Sequence, residues 1–327
     1  MSTHTRKEGE MYTRRDLALF TIAGLAAPLF AGFKGMAAGN GRSAVAAGAR
    51  VRLGVQTSSF RDLPLDPGHD AIDTLIQAMT ECGVSECELA APTVEPAYGG
   101  HASRHLAAMS SMSPQMMRRE LRKWRLRTPL SHFHAIASRF DQAGVAVCAY
   151  DYSPDSTFSD EEIDRSFSMA KALGAQVLTA SPTLEMAKRL APFAGTHKMV
   201  VALSPWMRTD HAHAASNRAD VGALLDLSPH FKVNVDLGQF TADHVDPVAY
   251  IRDHHDEIAS VRLTDARKNG GDPVAWGAGD TPIREVLQLL QREGWPIRAY
   301  VDYQYRGEGT PVEEVKRCFA YAKQALA

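Results

Sequence analysis

Phe231-Lys-Val-Asn-Val-Asp236, running into Leu237-Gly-Gln239-Phe240, reads as a buried β-strand that ends on a carboxylate and gives way to a short turn. Working outward, seven more short apolar runs have the same look. They are Val51–Gln56, Cys87–Ala90, Val145–Tyr150, Val177–Ala180, Met199–Leu203, Ile258–Leu263 and Ile297–Tyr303. Segments with a 3.6-residue apolar period lie between them, which is the signature of helices with one buried face. One covers Asp70–Cys82. Another covers Asp160–Leu173, opened by the capping-box pattern Ser159-Asp-Glu-Glu162. Thr281–Glu293 carries Pro282 at a helix-starting position, and Pro311–Leu326 closes the chain. Eight strand-then-helix units with no sign of a second domain predict an α/β fold, a (β/α)8 TIM barrel over residues 47–327.

Composition agrees with one large globular domain. The chain has 327 residues, and such a barrel needs about 250. A net charge of -2 supplies no basic field, so nucleic acid is not an expected partner. Cys82, Cys87, Cys148 and Cys318 read as buried small apolar residues, with a Cys82–Cys87 bridge as the alternative in an oxidising compartment.

Residues 1–46 read as a segment outside the fold. Thr13-Arg14-Arg15-Asp16-Leu17 holds a twin-arginine pair, an uncharged run follows from Leu17 to Phe33, and Ala44-Val45-Ala46 suits cleavage. This is the pattern of a twin-arginine export signal, and it predicts a periplasmic or extracellular protein. A membrane anchor is the competing reading. The run is interrupted by Gly24, Pro28 and Gly32, which is short and weak for a stable span.

The longest interruption of the barrel pattern runs from Ala91 to Leu130. Its first part, Tyr98-Gly-Gly-His-Ala-Ser-Arg104, is rich in small residues. Its second, Gln115–Arg125, is a basic helix. Insertions after barrel strands sit over the mouth, so the segment reads either as a rim or as a solvated decoration.

Residues at the C-terminal ends of barrel strands point into the mouth. Here they are Gln56, Glu88, Tyr150 with Asp151, Ser181, Ser204 with Trp206, Asp236 with Gln239, Arg262 with Asp265, and Asp302. Together they form a polar set that a purely structural barrel would not require.

Several motifs occur in the order found in one family. Leu53-Gly-Val-Gln-Thr-Ser-Ser-Phe-Arg61 resembles the first strand of the sugar phosphate isomerase/epimerase superfamily, the xylose isomerase-like barrels. Cys87-Glu88-Leu89 resembles its second strand, Ala170-Lys-Ala-Leu-Gly174 the helix before its fourth, and Trp276-Gly-Ala-Gly-Asp-Thr-Pro282 a later turn. The resemblance implies a divalent metal, Mn, Zn or Mg, held by residues of strands 5 to 8. This chain departs from that pattern. Ser204 and Trp206 stand where relatives have His or Glu, Gln239 and Arg262 stand where they have His, and Asp302 stands for Glu. Only Asp236 matches. Arginine is always cationic and has no lone pair to give a metal. No cofactor is therefore expected. If an ion binds, its ligands are Asp236, Asp302 and Glu88. In its absence Arg262 is expected to occupy the metal position, bridging Asp236 and Asp302. A displaced site built from Asp210-His211-Ala-His213 and Glu88 is the alternative.

Two functions follow. The resemblance implies a small-molecule carbohydrate ligand and proton transfer next to a sugar or keto-sugar carbonyl. Glu88 and Asp302 would act as acid and base, Asp236 and Arg262 would complete the catalytic set, and Arg262 or Lys268 would stabilise the enediolate. Gln56, Tyr150, Ser204, Trp206, Gln239, Asp265 and Lys268 would bind substrate. The alternative is a non-catalytic carbohydrate-binding barrel, with Trp206, Tyr150 and Tyr303 as stacking faces. Gly277 and Gly279 lack the strand context and lysine of a nucleotide-binding loop, and Ser58, Ser59 and Ser204 lack triad partners at motif spacing.

Overall fold

The computed structural model of the chain describes residues 51–64, 70–96, 113–204, 218–268 and 272–327. The expectations placed on residues 1–46, on 98–104, on Trp206, and on Asp210, His211 and His213 lie outside the described residues.

Eight parallel strands close into a barrel in the order β1 to β8. They are β1 Arg52–Gln56, β2 Glu86–Ala90, β3 Ala146–Asp151, β4 Val177–Ala180, β5 Val200–Leu203, β6 Phe231–Asp236, β7 Ile258–Leu263 and β8 Arg298–Val301. β1 pairs with β8 through Arg52 opposite Arg298 and Val55 opposite Val301, which leaves no free sheet edge. The helices are α1 Ala71–Glu81, α2 Ala91–Val94, α3 Pro114–Arg127, α4 Leu130–Gln142, α5 Asp160–Ala172, α6 Leu184–His197, α7 Arg218–Leu225, α8 Leu237–Ala242, α9 Pro247–His254, α10 Ile283–Glu293 and α11 Pro311–Leu326. The fold is the (β/α)8 barrel that the sequence pattern predicts.

Period-two alternation divides each strand between two environments. Val233 and Val235 of β6, Val261 and Leu263 of β7 and Ala299 of β8 are fully buried against Ile283, Val286 and Leu287 of α10. Burial of each Val or Leu contributes about 1.5–3 kcal/mol. The alternate positions face the barrel interior, and many are polar. At its lower end Glu86 Oε1 accepts from Arg52 Nε at 2.9 Å, and Glu86 Oε2 accepts from Arg298 Nε at 3.1 Å. Gly54 is required beside them, because a Cβ there would lie 2.6 Å from the Glu86 carbonyl oxygen.

Local signals fix the helix ends. The Asp70 side chain caps α1, and Ser159 with Glu162 forms a full capping box on α5. Thr310 with Glu313 does the same on α11. All four cysteines are buried and free, so Cys82 and Cys87 form no bridge.

The inserted helix α3 is tied down by a buried ionic cluster. Arg125 donates to both oxygens of Glu95, at 2.6 and 2.8 Å, and its guanidinium lies over the rings of Tyr152 and Phe158. Arg118 donates to Glu162 at 2.9 Å, and Glu162 is completely buried. Arg165 reaches back to the carbonyls of Arg125 and Thr128.

Candidate active site

Asp236 ends β6, and its carboxylate does two local jobs. Oδ1 accepts from the backbone N–H of Gln239 at 3.0 Å, capping α8, and from Thr264 Oγ1 at 2.5 Å. Thr264 Oγ1 in turn accepts from Gly238 N at 2.8 Å. A Cβ on Gly238 would come within 2.6 Å of that hydroxyl, which explains the glycine after Asp236-Leu237. The Gln239 side chain is turned to Asp243, one helical turn on, at 2.9 Å. It contributes its backbone to the site and its amide to its own helix.

Arg262 of β7 points into the barrel and is 5% exposed. Its partners differ from the expected pair. Nε donates to Glu88 Oε2 at 2.8 Å, and Nη2 donates to Asp151 Oδ2 at 2.7 Å. The guanidinium therefore spans the barrel to β2 and β3, and Asp236 and Asp302 receive no hydrogen bond from these two nitrogens. Asp151 Oδ2 also accepts from Gln56 Nε2 at 2.8 Å, and Gln56 is held from behind by the Ser58 N–H on its Oε1. Gln56, Asp151, Arg262 and Glu88 thus form one connected network.

Asp302 follows β8 and is 1% exposed. Its Oδ2 accepts from Gln304 Nε2 at 2.7 Å, while Oδ1 is buried without a hydrogen-bond partner among the described residues. Burial pushes this carboxyl up to about 6. The Arg262 guanidinium opposes that rise, and Asp236 and Glu88 add to it. Burial likewise holds the Glu88 carboxyl above the usual carboxylate range, with Arg262 pulling the other way and Asp151 reinforcing the rise. Glu88 Oε1 is also buried, with the Thr179 hydroxyl beside it acting to lower the Glu88 carboxyl.

A polar ladder supports this layer from below. Asn234, two residues before Asp236 on β6, donates to Ser204 Oγ at 3.0 Å and accepts from Ser260 Oγ at 2.9 Å. Ser204 is thus a rung of the barrel interior beneath the carboxylates.

Three residues expected to bind substrate are placed elsewhere. Tyr150 is fully buried in the outer apolar layer, stacked on Tyr152 at 5.7 Å, because its neighbour Asp151 takes the inward position on β3. Asp265 accepts backbone N–H groups from Gly277 at 2.7 Å, Gly279 at 3.2 Å and Thr281 at 3.2 Å, so it anchors the loop ahead of α10. A side chain on Gly279 would collide with that carboxylate, which accounts for the Gly-Ala-Gly spacing. Lys268 is exposed and forms no ion pair among the described residues; its backbone N–H donates to Asp280. Sequence reasoning gave Asp151 no catalytic or binding role and missed Thr264 and Gln304. Asp151 had a signal in its strand-end position, whereas Thr264 and Gln304 had none.

Among the described residues no group of three or more His, Cys, Asp or Glu is arranged to hold a metal ion. The strand 7 position carries a guanidinium committed to two carboxylates, and strand 5 offers a hydroxyl engaged by Asn234. This donor set does not fit a divalent ion.

No family model matches the sequence, and no curated protein matches it. Solved structures do match. A 3-keto-D-glucoside 4-epimerase from E. coli superposes with a TM-score of 0.57 at 13% identity, covering 84% of this chain and 100% of that one. A xylose isomerase domain protein from Planctomyces limnophilus gives 0.56 at 12%, covering 84% and 95%. An AP endonuclease, family 2, from Brucella melitensis gives 0.56 at 12%, covering 83% and 99%. The structural neighbours are xylose isomerase-like and sugar isomerase/epimerase TIM barrels, together with a barrel named for a different activity. At these identities the likeness is one of fold, and chemistry has to be argued from the site.

Proposed function

We propose that this chain is an exported carbohydrate-processing barrel that moves a proton next to the carbonyl of a sugar or keto-sugar, as an isomerase, epimerase or related lyase. The observation that carries the reading is Asp302. It is a buried carboxyl at the end of β8, within the field of Arg262, with one oxygen uncommitted among the described residues and burial pushing it up to about 6. An acid/base group is most effective when its pKa lies near the working pH. Asp302 would take the proton from the carbon beside the carbonyl. The C–H electron pair would pass into the carbonyl, giving an enediolate. Asp302 would return the proton to the adjacent carbon on the same face while the hydroxyl proton passes from its oxygen to the former carbonyl oxygen, and inversion at one carbon would need a further proton donor on the opposite face. Arg262 would stabilise the oxyanion by its charge. Glu88 and Asp151 would hold the guanidinium in place, so Glu88 becomes a positioning residue and not the second acid/base group. The fold neighbours support the reading to the extent that one of them is named as a sugar epimerase.

The test is solvent exchange. The protein is incubated in D2O with a panel of aldoses, ketoses and 3-keto-glycosides, and deuterium at carbon is followed by NMR. The expected result is incorporation that falls by roughly 100-fold in Asp302→Asn and is unchanged by EDTA. Loss of exchange in EDTA, with recovery on adding Mn2+, would return the reaction to a metal-dependent course. Binding of a sugar without any exchange would favour a non-catalytic carbohydrate-binding barrel. That second reading draws on the extent to which Arg262 is already engaged by Glu88 and Asp151.

A further inference from the structure

The charges at the mouth are unequal. Arg262 is paired with Glu88 and Asp151 and Asp302 lies within its field, while Asp236 stands on the neighbouring strand bound to Thr264 and the Gln239 N–H. Its Nε and Nη2 hydrogen bonds go to Glu88 and Asp151, so its charge is already matched within the protein. Asp302 lies within the field of the same cluster: Arg262 lowers its carboxyl, and Asp236 and Glu88 raise it. Among the described residues three carboxyl groups thus lie in the field of one guanidinium, and a negatively charged ligand would add to the surplus.

The hydrogen-bonding valences point the same way. Asp302 Oδ1, on a residue 1% exposed, lacks a partner among the described residues, whereas the fully buried Glu88 Oε1 has the Thr179 hydroxyl beside it. A buried carboxylate oxygen without a donor is costly, and a ligand that supplies one relieves the cost. Asp151 and Asp236 are partly exposed above them and offer further acceptors at the rim. Among the described residues, what Asp302 Oδ1 lacks is a donor. Hydroxyl and ammonium groups donate. A phosphate dianion or a sugar carboxylate brings acceptors and more negative charge.

Resting on the reading of the mouth as a carbohydrate site, we infer that the ligand is an uncharged or amino-bearing sugar, and that phosphorylated and acidic sugars are excluded. The shared requirement is a cluster of hydrogen-bond donors with no negative charge, which neutral polyols and amino sugars both meet. The orphaned Asp302 oxygen is the group that an ammonium or a hydroxyl would complete.

The test uses matched triples on the wild-type full chain in buffer containing EDTA, with dissociation constants from calorimetry or ligand-observed NMR. One triple is glucose, glucosamine and glucose phosphate; the mannose and galactose series supply two more. The expected result is that at least one series binds, with its phosphorylated member at least tenfold weaker than its neutral or amino member. A preference for the amino member would assign the ligand's donor to an ammonium, and equal binding would assign it to hydroxyls. A phosphorylated member binding as tightly as its neutral partner would overturn the inference and leave the proton-transfer reading standing. Discrimination without solvent exchange would uphold the inference and remove that reading. No binding by any member would overturn both.

Discussion

Asp302 is the residue whose behaviour is most open to direct measurement. Its carboxyl sits at about 6 against an ordinary 3.8, with burial as the first cause. The groups that face it are Arg262, which lowers it, Asp236 and Glu88, which raise it, and Gln304, which donates to it; Cys318 also lies within its field. A carboxyl with a raised folded-state value is more easily accommodated when neutral. Its contribution to stability is fully present below pH 3.8 and is lost as pH rises through about 6. Two units correspond to about 3 kcal/mol at 1.36 kcal/mol per unit. Asp302→Asn keeps the shape and removes the charge. The stability of the wild type relative to the Asp302→Asn variant should therefore fall by up to about 3 kcal/mol between pH 4 and pH 7. Urea unfolding of both proteins across that range measures it. A constant difference between them would mean that Asp302 is not buried as an acid and would also weaken its assignment as the proton carrier.

The inserted helix α3 shows how charges add to a small apolar contact, that of Trp124 with Phe133, in holding an element. Its polar sequence, Pro114–Arg127, buries Arg125 alone, and that side chain is matched by Glu95 and Glu162. Removing a buried partner leaves uncompensated charge, whereas removing an exposed one costs little. Arg125→Met should destabilise the protein by about 3 kcal/mol. Arg122→Ala, whose side chain is 44% exposed beside the same Glu162, should cost less than about 1 kcal/mol. Chemical unfolding of the two variants decides the matter, and equal small losses would show that the cluster does not anchor α3. Element positions were largely legible in the sequence. The bounds of β6 and β7 follow directly from their apolar runs, and the capping signals at Ser159 and Thr310 place α5 and α11. Side-chain direction was less legible. Arg262 lies inward as expected, but β3 is buried on both faces, so Tyr150 and Asp151 could not be told apart by polarity. The partners of Arg262 were out of reach altogether. Glu88 and Asp151 meet it across the barrel, from strands not adjacent to β7, and nothing local to Arg262 encodes which carboxylate lies opposite.

At the scale of the whole molecule the barrel is complete from β1 onward. β1 begins at Arg52 and pairs with both β2 and β8, and among the described residues the closing strand pairs and the Arg52–Glu86–Arg298 pairs lie at Arg52 and beyond. We propose that residues 1–46 are a leader that directs export and adds nothing to the stability of the barrel. Two consequences can be read separately. A chain beginning at residue 47 should unfold in urea with the same midpoint and the same denaturant slope as the full chain, because the slope tracks the surface exposed on unfolding. In cells with a twin-arginine pathway, the full chain should be found outside the cytoplasm. The shortened chain, and the full chain with Arg14→Lys and Arg15→Lys together, should remain inside. A lower midpoint for the shortened chain would make the leading segment part of the fold. Export that survives the double lysine change would remove the twin-arginine assignment, and with it the expectation that the mouth meets its sugar outside the cytoplasm.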